Sequence, residues 1–109
     1  MENIAIVTVA YNRVKSLSRL LNSLLCADID NAPLIISIDK SNTNEVERYA
    51  NDFIWPYGEK KVITHKENLG LRKHILSIGQ LLDYYDAVIV LEDDIIAVSY
   101  THLRAHETL

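Results

Sequence analysis

Four short apolar runs, each leading into a cluster of polar residues, limit what this 109-residue chain can fold into more than any other feature. The first, Ile4-Ala5-Ile6-Val7-Thr8-Val9-Ala10, is almost unbroken in its apolar and β-branched character. A strand with one wet face alternates polar and apolar residues, whereas a strand covered on both faces does not. Leu34-Ile35-Ile36-Ser37-Ile38 and Ala87-Val88-Ile89-Val90-Leu91 read the same way, and Lys61-Val62-Ile63-Thr64 is a shorter version. Between the runs, apolar residues recur at helical spacing. Val14, Leu17, Leu20, Leu21, Leu24 and Leu25 form a stripe over residues 14–27, followed by Val46, Tyr49, Ala50 and Phe53 in a second helix that Thr43 or Asn44 can cap. Trp55-Pro56-Tyr57-Gly58 supplies turn chemistry. A third helix runs from Gly70 to about Tyr84, with Leu71, Ile75, Ile78, Leu82 and Tyr85 on one face. Strands alternating with helices imply parallel pairing through right-handed crossovers. The expected fold is therefore an α/β, Rossmann-like sheet of four mainly parallel strands alternating with three helices, with helices on both faces.

Composition narrows the function classes. A chain of this length has room for one hydrophobic core, and 49% apolar with 24% charged residues is the balance of a globular domain. The net charge of −4, with no local surplus of Lys and Arg, speaks against nucleic acid as a partner. Cys26 is the only cysteine, which excludes a disulfide framework, and its place among apolar helix residues suggests a small buried hydrophobe. The longest apolar run, Ala87 to Leu91, falls far short of the roughly 20 residues a membrane-spanning helix needs. Met1-Glu2-Asn3-Ile4 does not begin like a signal peptide. The expected location is the cytoplasm or a membrane surface facing it, with room for peripheral membrane association. Nothing in the composition speaks to oligomeric state.

Residues 1–97 read as one unit. The stretch from Val98 to Leu109 breaks the pattern and resembles a translated sequencing-adaptor tail, so it is set aside as non-native. His102 and His106 within it are spaced like a metal pair on a helix, but no general-base carboxylate follows the first, as the zinc-protease motif requires.

In open parallel sheets, ligands sit outside the carboxyl ends of the strands. Four polar clusters fall there: Tyr11-Asn12-Arg13, Asp39-Lys40-Ser41, His65 to Arg72, and Glu92-Asp93-Asp94. Three adjacent carboxylates repel one another unless a cation is present. Mg²⁺ or Mn²⁺ suits them, since hard cations take one or two carboxylates and complete their shells with water and phosphate oxygens. Adjacent strand positions point to opposite faces, so Asp93 and Asp94 should have different tasks. A solvated acidic turn is the bland alternative. Asn68-Leu69-Gly70-Leu71-Arg72-Lys73 opens the third helix, with backbone N–H groups and two cations suited to a diphosphate; an ordinary Asn-capped helix is the competing reading. Arg13 is a second phosphate candidate. Asp39 could accept hydrogen bonds from a base or ribose. His65 and His74 have no carboxylate partner at short range and read as structural or exposed.

Taken in order, Ile6 to Arg13, the strand ending in Asp39, the Asn68-Leu69-Gly70 turn and Val88 to Asp94 resemble the GT-A fold glycosyltransferases, in a pattern close to their family 2. The Glu-Asp-Asp form of the acidic motif is similar to that of the N-acetylglucosaminyltransferase I type. The resemblance spans residues 4 to about 97. It implies binding of a nucleoside-diphosphate sugar through Mn²⁺ or Mg²⁺ held by Asp94, with Asp93 on the ribose, Asp39 on the base, Arg13 near base or phosphates, and Arg72 as a less secure phosphate contact. Glu92 would be structural. No position matches the carboxylate that deprotonates the acceptor in inverting members, so the donor-binding part is expected without a complete catalytic set, and the acceptor, whether glycan, lipid or protein, is left open. A non-catalytic nucleotide- or sugar-binding module is the alternative. A sugar-nucleotide nucleotidyltransferase fits less well, because Tyr11-Asn12-Arg13-Val14 lacks the glycines of its first loop. A phospho-receiver domain would need an acidic pair after the first strand, where Ala10-Tyr11-Asn12-Arg13 stands.

Overall fold

The computed structural model describes residues 3–27, 29 and 31–92, and every structural statement below concerns these. Four strands, β1 (Ile4–Ala10), β2 (Leu34–Ile38), β3 (Lys60–Thr64) and β4 (Ala87–Glu92), form one sheet in the order β3-β2-β1-β4. Every pairing is parallel. Helices α1 (Val14–Leu25), α2 (Glu45–Asp52) and α3 (Gly70–Ile78) fill the crossovers, and a 3₁₀ turn, Gly79–Asp83, continues α3.

Period-2 side-chain alternation splits the core in two. Ile6, Ala10, Leu34, Ile36 and Ile38 point to the face covered by α1 and α2, where they meet Leu17, Leu20, Leu21, Leu24, Val46 and Ala50. Ala5, Val7, Val9 and Ile35 point to the other face, against Ile78 of α3, with Leu81 and Tyr85 alongside. The four fully buried leucines of α1 contribute roughly 1.5–3 kcal/mol each by leaving water. Helices therefore cover both faces, as the unalternated strands require.

Two details depart from the sequence pattern, and a third decides between the two caps it offered for α2. Cys26 is exposed: it is the C-cap residue of α1, two positions past Leu24, and about 100° of rotation per residue carries it to the solvent side. The third helical segment is not one continuous α-helix; the tighter turn from Gly79 changes its phase. Among its described side chains His74 and Ile78 are buried, while Ile75 and Leu82 are exposed. Finally, Asn44 is the N-cap of α2 but makes no side-chain cap bond; Thr43 Oγ1 accepts from the Glu45 N–H instead, at 3.2 Å.

The C-terminus of α2 is tied to β3 by one cation. The Lys60 ammonium donates to the carbonyls of Ala50 (2.7 Å), Asn51 (2.9 Å) and Phe53 (2.6 Å). All three of its donors are used, at the end of the helix where the dipole is negative. Lys60→Met is expected to lower stability by about 1–3 kcal/mol, whereas Lys61→Met, on an exposed neighbour, should stay within about 0.5 kcal/mol. Urea denaturation of the two variants checks this.

Candidate functional site

The strand order places a topological switch point beside β1. From β1 the chain crosses to β2 and β3 on one side, and β4 then fills the other. Connections leave such a point in opposite directions, which opens a crevice at the carboxyl ends of the strands. The crevice here is a cleft of about 610 Å³, a size suited to a cofactor- or nucleotide-sized ligand.

Residues from all four strand-end clusters line it. Tyr11, Asn12 and Arg13 come from the β1–α1 connection, Asp39 from the end of β2, Asn68, Gly70 and His74 from the start of α3, and Glu92 from the last position of β4. Arg13 is also the N-cap residue of α1, in extended conformation and without a side-chain cap bond. Arg72 lies on the first turn of α3, exposed and outside the lining of the cleft. Asp93 and Asp94 lie outside the described residues, as does the tail from Val98 to Leu109; in sequence the two aspartates directly follow Glu92, which lines the cleft.

Asp39 is the most heavily bonded group of the site. Its Oδ1 accepts from the N–H groups of Lys40 (2.9 Å) and Leu69 (2.8 Å), and its Oδ2 from Gly70 N–H (2.9 Å). The side chain is 5% exposed. This corrects the reading of the helix opening as a row of free N–H donors: those of Leu69 and Gly70 already hold a carboxylate from the neighbouring strand. Asn68 does not cap α3 either; Leu69 is the N-cap residue, and the Asn68 amide donates to the Lys40 carbonyl at 2.9 Å. Gly70 has φ +75°, a conformation that costs glycine least, and it turns the chain so that two successive N–H groups face Asp39. An ionised carboxylate has about four acceptor positions, so three bonds leave room for one more donor from the cleft.

His74 belongs to the site although its sequence context suggested only a structural or exposed residue. It is 2% exposed, lines the cleft, and its Nε2 lies 2.7 Å from Ser37 Oγ. His65 Nε2 reaches the same oxygen at 3.4 Å, and the two imidazoles meet edge to face with centroids 5.0 Å apart. The signal that would have found it is an alternative stripe, His74-Ile78-Leu81-Tyr85, at spacings of four, three and four.

Burial holds the pKa of His74 below its usual 6.5, and the neighbouring His65 pushes the same way, against a raising influence from Asp39. The folded chain thus resists protonation here more than the unfolded chain does. As pH falls below about 6.5, the unfolded state takes up the proton first, and stability declines until the folded pKa is passed. Urea unfolding of the wild type should show this loss as pH falls from about 7, and His74→Gln should flatten the slope.

Among the described residues no three His, Cys, Asp or Glu side chains are grouped so as to hold a metal ion. Asp39 is largely committed to backbone N–H groups, and Glu92, next in sequence to Asp93 and Asp94, is the other carboxylate lining the described part of the cleft. A hard cation that keeps water and phosphate ligands needs only one or two carboxylates. Among the described residues no helix is long and apolar enough to cross a membrane.

The family model for glycosyl transferase family 2 matches residues 5–95, and the chain belongs to that family. Among solved structures, S. aureus TarS 1–349 superimposes with a TM-score of 0.67 at 20% identity, covering 97% of this chain and 31% of that one. The same TarS fragment in complex with UDP gives a TM-score of 0.66 at 21% identity, over 95% of this chain and 31% of that one. A further crystal structure of TarS gives 0.66 at 21% identity, over 95% of this chain and 19% of that one. At these identities the likeness is one of fold, the GT-A fold. The chain spans about a third or less of the TarS chains it matches. No curated protein matches the chain.

Proposed function

From its membership of family 2, we propose that this chain is the donor-binding part, over residues 1–97, of a glycosyltransferase that takes a nucleoside-diphosphate sugar in the cleft at the carboxyl end of the sheet. The observation that carries the reading is the convergence of Arg13, Asp39 and Glu92, from three different strand ends, on one cleft at the switch point. The UDP in the TarS complex is compatible with such a ligand.

In this reading Arg13 lies near the base or phosphates, as a cation just after β1. Asp39 uses its remaining acceptor position for an N–H of the base, with its geometry set in advance by the three backbone bonds. Asp93 holds the ribose and Asp94 the divalent cation, Mn²⁺ or Mg²⁺, in a Glu-Asp-Asp motif of the N-acetylglucosaminyltransferase I type. Arg72, exposed one turn into α3, serves the outer phosphate or the sugar. Glu92 stays structural, closing the end of β4. A cation bound there offsets the charge that develops on the departing nucleoside diphosphate. The acceptor, the base that deprotonates it and any membrane association belong to the whole protein, and residues 98–109 are a non-native tail.

Calorimetry of the full-length protein with UDP and GDP, with and without Mn²⁺, tests the reading. Mn²⁺ is expected to strengthen binding at least about tenfold, in keeping with a directly held diphosphate–metal pair. Binding that ignores the metal, or none at all, overturns it; metal-dependent binding without transfer to any acceptor would instead indicate a binding module.

A further inference from the structure

We propose that Ser37 and His65 are positioning residues for His74, joined to it in a hydrogen-bonded relay that fixes which ring nitrogen of His74 carries the proton and so what that ring offers to the cleft. The inference rests on reading the cleft as a nucleotide site.

Ser37 stands in the middle of β2, 2% exposed, on the face where Ala5, Val7, Val9 and Ile35 make an apolar cluster. A hydroxyl there is costly unless its hydrogen and its lone pairs are used. Both are, because two imidazoles present Nε2 to one oxygen, His74 at 2.7 Å and His65 at 3.4 Å. A serine has a single hydrogen, so it can donate to only one of the two nitrogens, and the other must donate to it. The 2.7 Å contact is the closer of the two, and in the proposed relay it is the Ser37 hydroxyl donating to His74 Nε2, which leaves His65 Nε2–H to donate to Ser37 across the longer contact.

With Nε2 accepting, a neutral His74 carries its proton on Nδ1 and is a donor at its other edge. The groups around it favour this neutral form. His65, from the β3–α3 connection at a ring separation of 5.0 Å, disfavours a positive charge on His74. Asp39, at the end of β2, pulls the other way but has its oxygens engaged by three N–H groups. Arg13 and Glu92, on the other elements lining the cleft, carry opposite charges. The relay thus runs from a half-exposed histidine, through a buried hydroxyl, to a buried histidine in the cleft wall.

Full-length protein labelled with ¹⁵N-histidine tests this by long-range ¹H–¹⁵N correlation, together with UDP and GDP binding in Mn²⁺. The expected wild-type spectrum shows His74 with Nδ1 protonated and Nε2 bare. Ser37→Ala should move His74 towards the other tautomer and weaken nucleotide binding about threefold to tenfold, the worth of one hydrogen bond. Ser37→Thr, which keeps the hydroxyl, should retain both properties, and His65→Asn should shift the tautomer to a smaller degree. A proton on Nε2 of wild-type His74, or a Ser37→Ala protein with unchanged tautomer and affinity, overturns the relay. Should the wild type bind neither nucleotide, the proposed function fails while the tautomer still decides the relay.

Discussion

Asp39→Ala is expected to lower stability by about 3–5 kcal/mol and to remove nucleotide binding along with it. The side chain accepts three backbone N–H bonds through two buried oxygens, and hydrogen bonds to a charged group are worth about 1.5–3 kcal/mol each. Alanine would leave Leu69 N–H and Gly70 N–H without their partner at the start of α3, in a turn that already holds Gly70 at φ +75°. Asp39→Asn is the sharper variant. Its amide offers one acceptor oxygen where the carboxylate has two, and its NH₂ would face a backbone N–H. An intermediate loss is therefore expected. Urea denaturation gives the stability change and calorimetry with UDP or GDP the binding change. An Asp39→Ala protein as stable as the wild type would show that the carboxylate does not hold α3 in solution.

Asp94→Ala should behave in the opposite manner. If Asp94 holds the divalent cation, its loss should cost more than the roughly 10–100-fold in metal affinity that follows from losing an outer partner of a ligand. The metal-dependent part of nucleotide binding should disappear while the unfolding midpoint stays where it was. Asp93→Ala, which removes a contact to the ribose, should cost at most about tenfold, the worth of one hydrogen bond. Asp39 and Asp94 are thus separated by what their loss does: one moves stability and binding together, the other only binding that needs metal. Retained Mn²⁺ dependence in Asp94→Ala would remove that residue from the metal set.

Most of the architecture could be read from residue pattern because strand burial leaves a coarse imprint. Ile4–Ala10 and Leu34–Ile38 lack polar alternation, and both are covered on two faces. The strand ends, and hence the cleft, followed from that. What could not be read was set by contacts distant in sequence. The face that α3 buries depended on Ser37 supplying a polar partner for His74, 37 residues away. Without that partner a buried histidine is a poor choice, and Ile75 looks the better core residue. Asp39 posed the same problem. Nothing near it in sequence shows that the N–H groups of Leu69 and Gly70, 30 and 31 residues on, satisfy its oxygens. The position of Cys26 was lost to a smaller cause, the end of α1 falling at Leu25.

The position of β1 at the centre of the sheet also bears on how the chain reaches its fold. β1 meets β2 after one helical crossover, in a register that pairs Ile6 with Leu34, but it meets β4 only after nearly the whole described chain, with Ile4 opposite Ala87. At the lower end of that pairing Asn3 N–H donates to Asp86 Oδ2 at 2.8 Å across a separation of 83 residues, and Asp86 N–H returns a bond to the Asn3 carbonyl. Closing so long a loop costs entropy before any pairing compensates it. The β1–β2–β3 portion can therefore form early, with β4 added last. Since Glu92, the first residue of the acidic motif, joins the cleft only on β4, a nucleotide bound as proposed would favour the state in which that strand is paired.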